Sequence, residues 1–186
     1  MKTMLTGLVL LLLVSACAGG TKRSDSSPSD HNAADVEFLQ QMIPHHEQAL
    51  EMTEIAGRSK ATVVIELADR IEAGQQPEIE RMRGWLDDWD VDERAAAEHG
   101  SDRHDDMAGD GMMTRAQMDE LESMGDGSAF TSSWIAMMTE HHEGAIEMAR
   151  TELAEGSNPA AKKLAREIIA TQQREIDEMS ATGVSR

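Results

Sequence analysis

The sequence predicts an all-α protein: an antiparallel four-helix bundle made of two duplicated helical hairpins joined by a long crossover. Three observations carry that expectation. Apolar residues make up 40% of the chain, yet they are dominated by Ala, Leu and Met, with 14 Met and only 3 Trp and 2 Phe as aromatics, a mixture that favours helix over sheet. Two stretches repeat one another. Phe38 to Met52 aligns without a gap on Trp134 to Met148 at an offset of 96, and Leu67, Ala68, Ile71, Gln75, Glu78 and Met82 recur as Leu164, Ala165, Ile168, Gln172, Glu175 and Met179 at an offset of 97. Each copy also holds a breaker, Gly57-Arg58-Ser59 or Gly156-Ser157-Asn158-Pro159, where one helix stops and the next begins.

The 186 residues suit one domain, preceded by a targeting segment. Residues 1–16 combine a basic Lys2 with an apolar run from Leu8 to Val14, too short to span a bilayer and typical of a secretory signal. Val14-Ser15-Ala16-Cys17 resembles the lipobox of bacterial lipoproteins, in which cleavage before Cys leaves its thiol to carry lipid. Cys17 is then the lipidation site. Residues 17–34, rich in Gly, Ser and Asp, read as a flexible tether in which His31 is solvated. With its single Cys used as an anchor, the mature chain has neither disulfide nor thiolate to offer.

Residues 35–181 form the bundle: repeat one over 35–90, crossover over 91–127, repeat two over 128–181. Helices are expected near 34–56, 60–88, 128–155 and 159–181. Pro44 falls inside the first and removes a backbone hydrogen bond there; its counterpart in the second copy is Glu140. Trp85 and Trp89, one turn apart, cover an end of the bundle. In the crossover, His99 to Met113 is rich in Gly and Asp and reads as a polar loop. Its His99, His104, Met107, Met112 and Met113 are compatible with an accessory loop that loads metal and equally with a plain linker. Thr114 caps a short helix from Arg115 to Ser123.

Net charge bounds the function. With 35 Asp+Glu against 17 Lys+Arg, a formal charge of -18 repels phosphate backbones and attracts cations. No Gly-rich phosphate loop and no nucleophile elbow occurs, so the reading is a non-enzyme that binds no nucleic acid.

The chemistry lies in the repeated pattern M-x-x-H-H-E-x-A-x-E-M. At 100° per residue Met42, His45, His46, Ala49 and Met52 share one stripe, as do Met138, His141, His142, Ala145 and Met148. A stripe facing the core that carries two imidazoles needs hydrogen-bond acceptors or a metal. Thioethers are soft and bind without losing a proton, imidazole suits Cu, Zn, Ni and Fe, and copper accepts both donors. Ala49 and Ala145 leave room between helices. Gln75, Glu78, Gln172 and Glu175 sit on or beside the apolar side of the partner helices and are placed to hold the imidazoles. Glu47, Glu51, Glu143 and Glu147 point away from the Met/His direction, toward solvent, with Glu47 and Glu143 placed where they could border the site. Met at such spacing is also common core packing, and a metal-free polar seam stays open as an alternative.

The doubled motif, the lipobox-like start and Gly111-Met112-Met113-Thr114 resemble the DUF305 family of secreted bacterial proteins, which includes CopM-type copper-binding proteins. The resemblance covers residues 35–181. It implies a ferritin-like bundle and a role outside the cytoplasm in copper sequestration, delivery or resistance, with Cu(I), Cu(II) or both as the ion. Carried over by position, it implies Met42, His45, His46, Met52, Met138, His141, His142 and Met148 as ligands. Expected partners are copper ions, the membrane through the N-terminal lipid alone, and a second copy or a copper-handling protein. A ferritin-like di-iron oxidase is the rival from another class; it requires Glu-x-x-His, whereas Met stands three residues before His45 and His141.

Overall fold

The computed structural model describes residues 30–93 and 110–183. The expected signal peptide, Cys17, most of the tether, and His99, His104 and Met107 of the crossover lie outside the described residues. Among the described residues there are five helices and no strands: α1 (Ala33–Ala56), α2 (Thr62–Asp88), α3 (Arg115–Ser123), α4 (Ser128–Glu155) and α5 (Pro159–Ala181). None is long and apolar enough to cross a membrane.

Local chemistry sets the ends. Asn32 caps α1, accepting from Asp35 N at 3.0 Å while Asp35 accepts from Asn32 N at 2.7 Å, so two of the donors that a helix start leaves open are satisfied reciprocally. Thr114 and Gln117 repeat this box at α3. Asn158 caps α5 through Ala160 N and Ala161 N, with Pro159 in the first turn. Helix α2 begins at Thr62, two residues later than the pattern suggested. The connection before it is tied down, since Lys60 N donates to Asp126 at 3.0 Å and Ala61 N to Ser59 Oγ at 3.1 Å. Helix α1 continues through Pro44, and α2 through Pro77.

Helix α1 packs along α2 and α4 along α5, while α1 and α4 pack on each other across the two halves; α3 bridges α1 and α4. The apolar interior has two clusters. One gathers Met52, Ile55, Leu67, Ile71, Met113, Met118, Leu121, Trp134, Met138 and Met179. The other gathers Phe38, Leu39, Met42, Ile43, Met82, Leu86, Met148 and Leu164, with Trp85 and Trp89 packed on it as half-buried covers. Trp134, fully buried, donates from Nε1 to the Met52 carbonyl at 2.8 Å and so joins α4 to α1. His31 is not simply solvated: its ring stacks on Trp89 with centroids 4.3 Å apart, because the start of α1 lies beside the end of α2.

Where the α4–α5 turn meets the start of α1, Asp35 accepts from Ser157 N, Ser157 Oγ and Asn158 N as well as Asn32 N. Burial works against its charge, but the donors from Asn32, Asn158 and Ser157 together hold its carboxyl below the usual range. Next to it Glu152 is 1% exposed, and burial, then the Asp35 carboxylate, push it up to about 8. Its carboxyl fills the space a Cβ at Gly156 would take. A side chain at 156 would displace that carboxyl.

Candidate metal centre

The repeated stripe faces inward in both halves. Met42, His45, His46, Ala49 and Met52 on α1 are all buried, as are Met138, His141, His142, Ala145 and Met148 on α4. The motif glutamates behave as expected: Glu47, Glu51, Glu143 and Glu147 are exposed, and Glu47 pairs with Arg83 and Glu147 with Arg150. Helical periodicity alone therefore sorts the imidazoles from the carboxylates that follow them.

Because α1 and α4 pack together, the imidazoles of the two copies meet. The rings of His45 and His141 have centroids 3.7 Å apart, and those of His141 and His142 lie 6.3 Å apart. His46 Nε2 reaches Glu78 Oε2 at 2.8 Å, and His142 Nε2 reaches Glu175 Oε2 at 2.8 Å, the same contact in each repeat. His45 Nε2 lies 2.9 Å from the Asp110 carbonyl. A carbonyl only accepts, so His45 carries its proton on Nε2 and its Nδ1 presents a lone pair. The carboxylates assign the same donor to His46 and His142. Gln75 and Gln172, expected to hold imidazoles too, make no such contact.

The interior keeps His45 and His141 neutral. Burial, then the neighbouring His46, lowers His45 to about 3, and the Asp110 carbonyl offsets only part of that. Burial, then His45, His142 and His46, place His141 well below the ordinary imidazole value. Neutral imidazole is the form that binds metal. Moreover, His45 Nδ1, His46 Nδ1, His142 Nδ1 and both nitrogens of His141 are buried without a hydrogen-bond partner among the described residues. Buried ring nitrogens are costly unless something satisfies them. The donor set fits a borderline or soft cation, with the carboxylates and the Asp110 carbonyl orienting the rings as in metal-binding imidazoles generally.

The thioethers are divided. Met42 and Met148 belong to one apolar cluster, Met52 and Met138 to the other. Met82 joins the first pair; Met179 and Met113 join the second. Among the described residues no three His, Cys, Asp or Glu side chains stand together as a ready metal site, so sulfur or a shift of the rings must complete any set. Sequence reasoning did not single out Met82 and Met179 as sulfur donors, although their recurrence at an offset of 97 marked them. Thr139 Oγ1, which donates to the Ile135 carbonyl at 2.8 Å, lies 3.6 Å from Met179 Sδ.

The end of the crossover lies directly on this seam. Gln48 on α1 grips Met113 twice, accepting from its N at 2.7 Å and donating to its carbonyl at 2.8 Å. In the second copy the matching position is Gly144, and a Cβ there would overlap the Asp110 backbone. Met113 is buried and Met112 half-buried. No sequence pattern announced this strap, because its partners are 65 residues apart.

Residues 35–182 match the family model described as a domain of unknown function, DUF305. A DUF305 protein from Streptomyces coelicolor, described as a candidate secreted protein, is 32% identical with a TM-score of 0.70, over 80% of this chain and 91% of that one. CopM in its Cu(II)-bound form is 27% identical with a TM-score of 0.66, and in its Cu(I)-bound form 28% with 0.61; each comparison covers 79% of this chain and 93% of CopM. The comparison with curated proteins returned no match.

Proposed function

This chain belongs to the DUF305 family, and from that premise we propose that it is a non-catalytic copper-binding protein of the bacterial cell envelope. The observation that carries the reading is the meeting of His45 and His141, rings 3.7 Å apart, inside a group of four buried imidazoles with five unpartnered nitrogens. His45, His46, His141 and His142 would hold the ion through ring nitrogen, and Met42, Met52, Met138 and Met148 would add thioether sulfur. This donor mixture suits copper best among first-row ions. The protein would store, pass on or detoxify the ion as a ferritin-like antiparallel four-helix bundle spanning 35–181, tethered by residues 17–34 to a lipid on Cys17 after removal of residues 1–16. CopM, solved with Cu(I), Cu(II) and Ag, supports a soft-cation role by likeness.

Two rivals fare worse. A di-iron site wants carboxylates where Met42 and Met138 stand buried. A metal-free polar seam would satisfy its imidazoles internally, whereas neither nitrogen of His141 makes a hydrogen bond of good geometry among the described residues. The test replaces His45, His46, His141 and His142 by Ala. Stoichiometric copper binding should vanish while the helical circular dichroism persists; an unchanged copper titration would reject the assignment.

A further inference from the structure

Gln75 and Gln172 are buried polar residues of this region that the imidazole centre does not use. They occupy equivalent positions in the two repeats, are 4% and 2% exposed, and have both the amide oxygen and the amide nitrogen without a partner among the described residues. Four orphaned amide atoms are a substantial penalty, and they lie beside the imidazole nitrogens that also lack partners. Packing alone does not account for a glutamine at either position, since an apolar side chain of similar volume would avoid the penalty.

Helix register says what lies across from them. Helices α1 and α2 run antiparallel, and the His46–Glu78 hydrogen bond sets their level. Moving one turn along, three residues up α1 and three down α2, puts Ala49 level with Gln75. The His142–Glu175 bond puts Ala145 level with Gln172 in the same way. Both alanines are fully buried. Each glutamine is therefore near the level of the smallest side chain of the stripe, about one turn from the His–Glu contact.

The kind of partner follows from the orphaned atoms. A bare cation would satisfy the oxygen and leave the NH2 unpaired, whereas water or hydroxide can donate to the oxygen and accept from the nitrogen. Among copper states, the cupric ion retains oxygen ligands, and the cuprous ion is content with sulfur and imidazole. We propose that Gln75 and Gln172 bind the water or hydroxide carried by a cupric ion in the imidazole centre, so that these two amides determine how well the protein accepts Cu(II) as well as Cu(I). This rests on the copper reading above. It assigns the amides a role in oxidation-state preference and not in the capture of copper as such.

The experiment compares the parent full chain with Gln75→Leu/Gln172→Leu, titrating Cu(I) against a competing chelator and following Cu(II) by affinity and electron paramagnetic resonance. Expected is Cu(I) affinity close to that of the parent, with Cu(II) affinity lower by about 10- to 100-fold and an altered resonance, the loss typical when a group supporting a metal site is removed. If the leucine pair fails to fold, Gln75→Asn/Gln172→Asn withdraws each amide by one methylene and is read identically. Parent-like Cu(II) affinity and resonance in a variant that still binds Cu(I) would overturn the proposal and leave the copper reading intact, the amides then holding structural water only. A parent that takes up neither ion would overturn both.

Discussion

Gly144 carries no side chain where the Asp110 backbone presses against helix α4, and the same Asp110 carbonyl accepts from His45 Nε2 at 2.9 Å. One missing Cβ thus lets the end of the crossover orient an imidazole on the opposite helix. Gly111, with φ of 78°, completes the approach, and a Cβ there would meet the Glu140 carbonyl. Two glycines and the Gln48 clamp on Met113 together fix the strap.

Gly144→Ala should therefore destabilise the fold by about 1–3 kcal/mol, the range for forcing extra volume into a packed site. Gly74, in α2 with nothing within 4 Å of a Cβ, is the control: Gly74→Ala should stabilise by about 0.4–1 kcal/mol. Thermal unfolding of the two variants checks the pair. Equal behaviour would mean that the strap does not bear on α4.

Glu78 and Glu175 hold His46 and His142 at 2.8 Å. Removing either carboxylate as Glu78→Ala or Glu175→Ala frees a ring that it orients and should lower copper affinity about 10- to 100-fold, with helical content preserved. Competition titrations read this directly. Because the contact recurs in both repeats, the two variants should lose similar amounts.

Acid should loosen the metal-free protein. His45 is held at about 3 and His141 well below the ordinary value of 6.5, so between those limits the unfolded chain binds protons that the native chain refuses. Native stability from these groups is complete above about pH 6.5 and drains as pH falls toward 3. Urea unfolding at pH 7 and pH 5 measures the difference, and His45→Phe/His141→Phe should flatten it.

Glu152 acts in the opposite direction. Its pKa rises from 4.5 to about 8 on folding, so the native state binds the extra proton. Its contribution is present below about pH 4.5 and is lost as pH rises through 8. Glu152→Gln, uncharged throughout, should make the protein less sensitive to pH between about 5 and 8. Unfolding midpoints across that interval decide it; a slope equal to that of the parent would show that Glu152 is already ionised.

Residue order alone determined much of this protein. The offsets of 96 and 97 exposed the duplication, the helix ends fell within two residues of those expected, and 100° periodicity placed His45, His46, His141 and His142 inside, because a regular helix converts spacing into direction without reference to anything distant. Glu78 and Glu175 were legible as imidazole partners on the same grounds; Gln75 and Gln172 were not, since lying on the right face does not bring an amide within reach of a ring. Only tertiary structure decided that the two copies share one imidazole group, that the thioethers divide between two clusters, and that Asp110, Gly144 and Gln48 bind the crossover to the seam. Those contacts join residues tens of positions apart. They depend on how α1 and α4 pack against one another, and no local pattern along the chain encodes that distance.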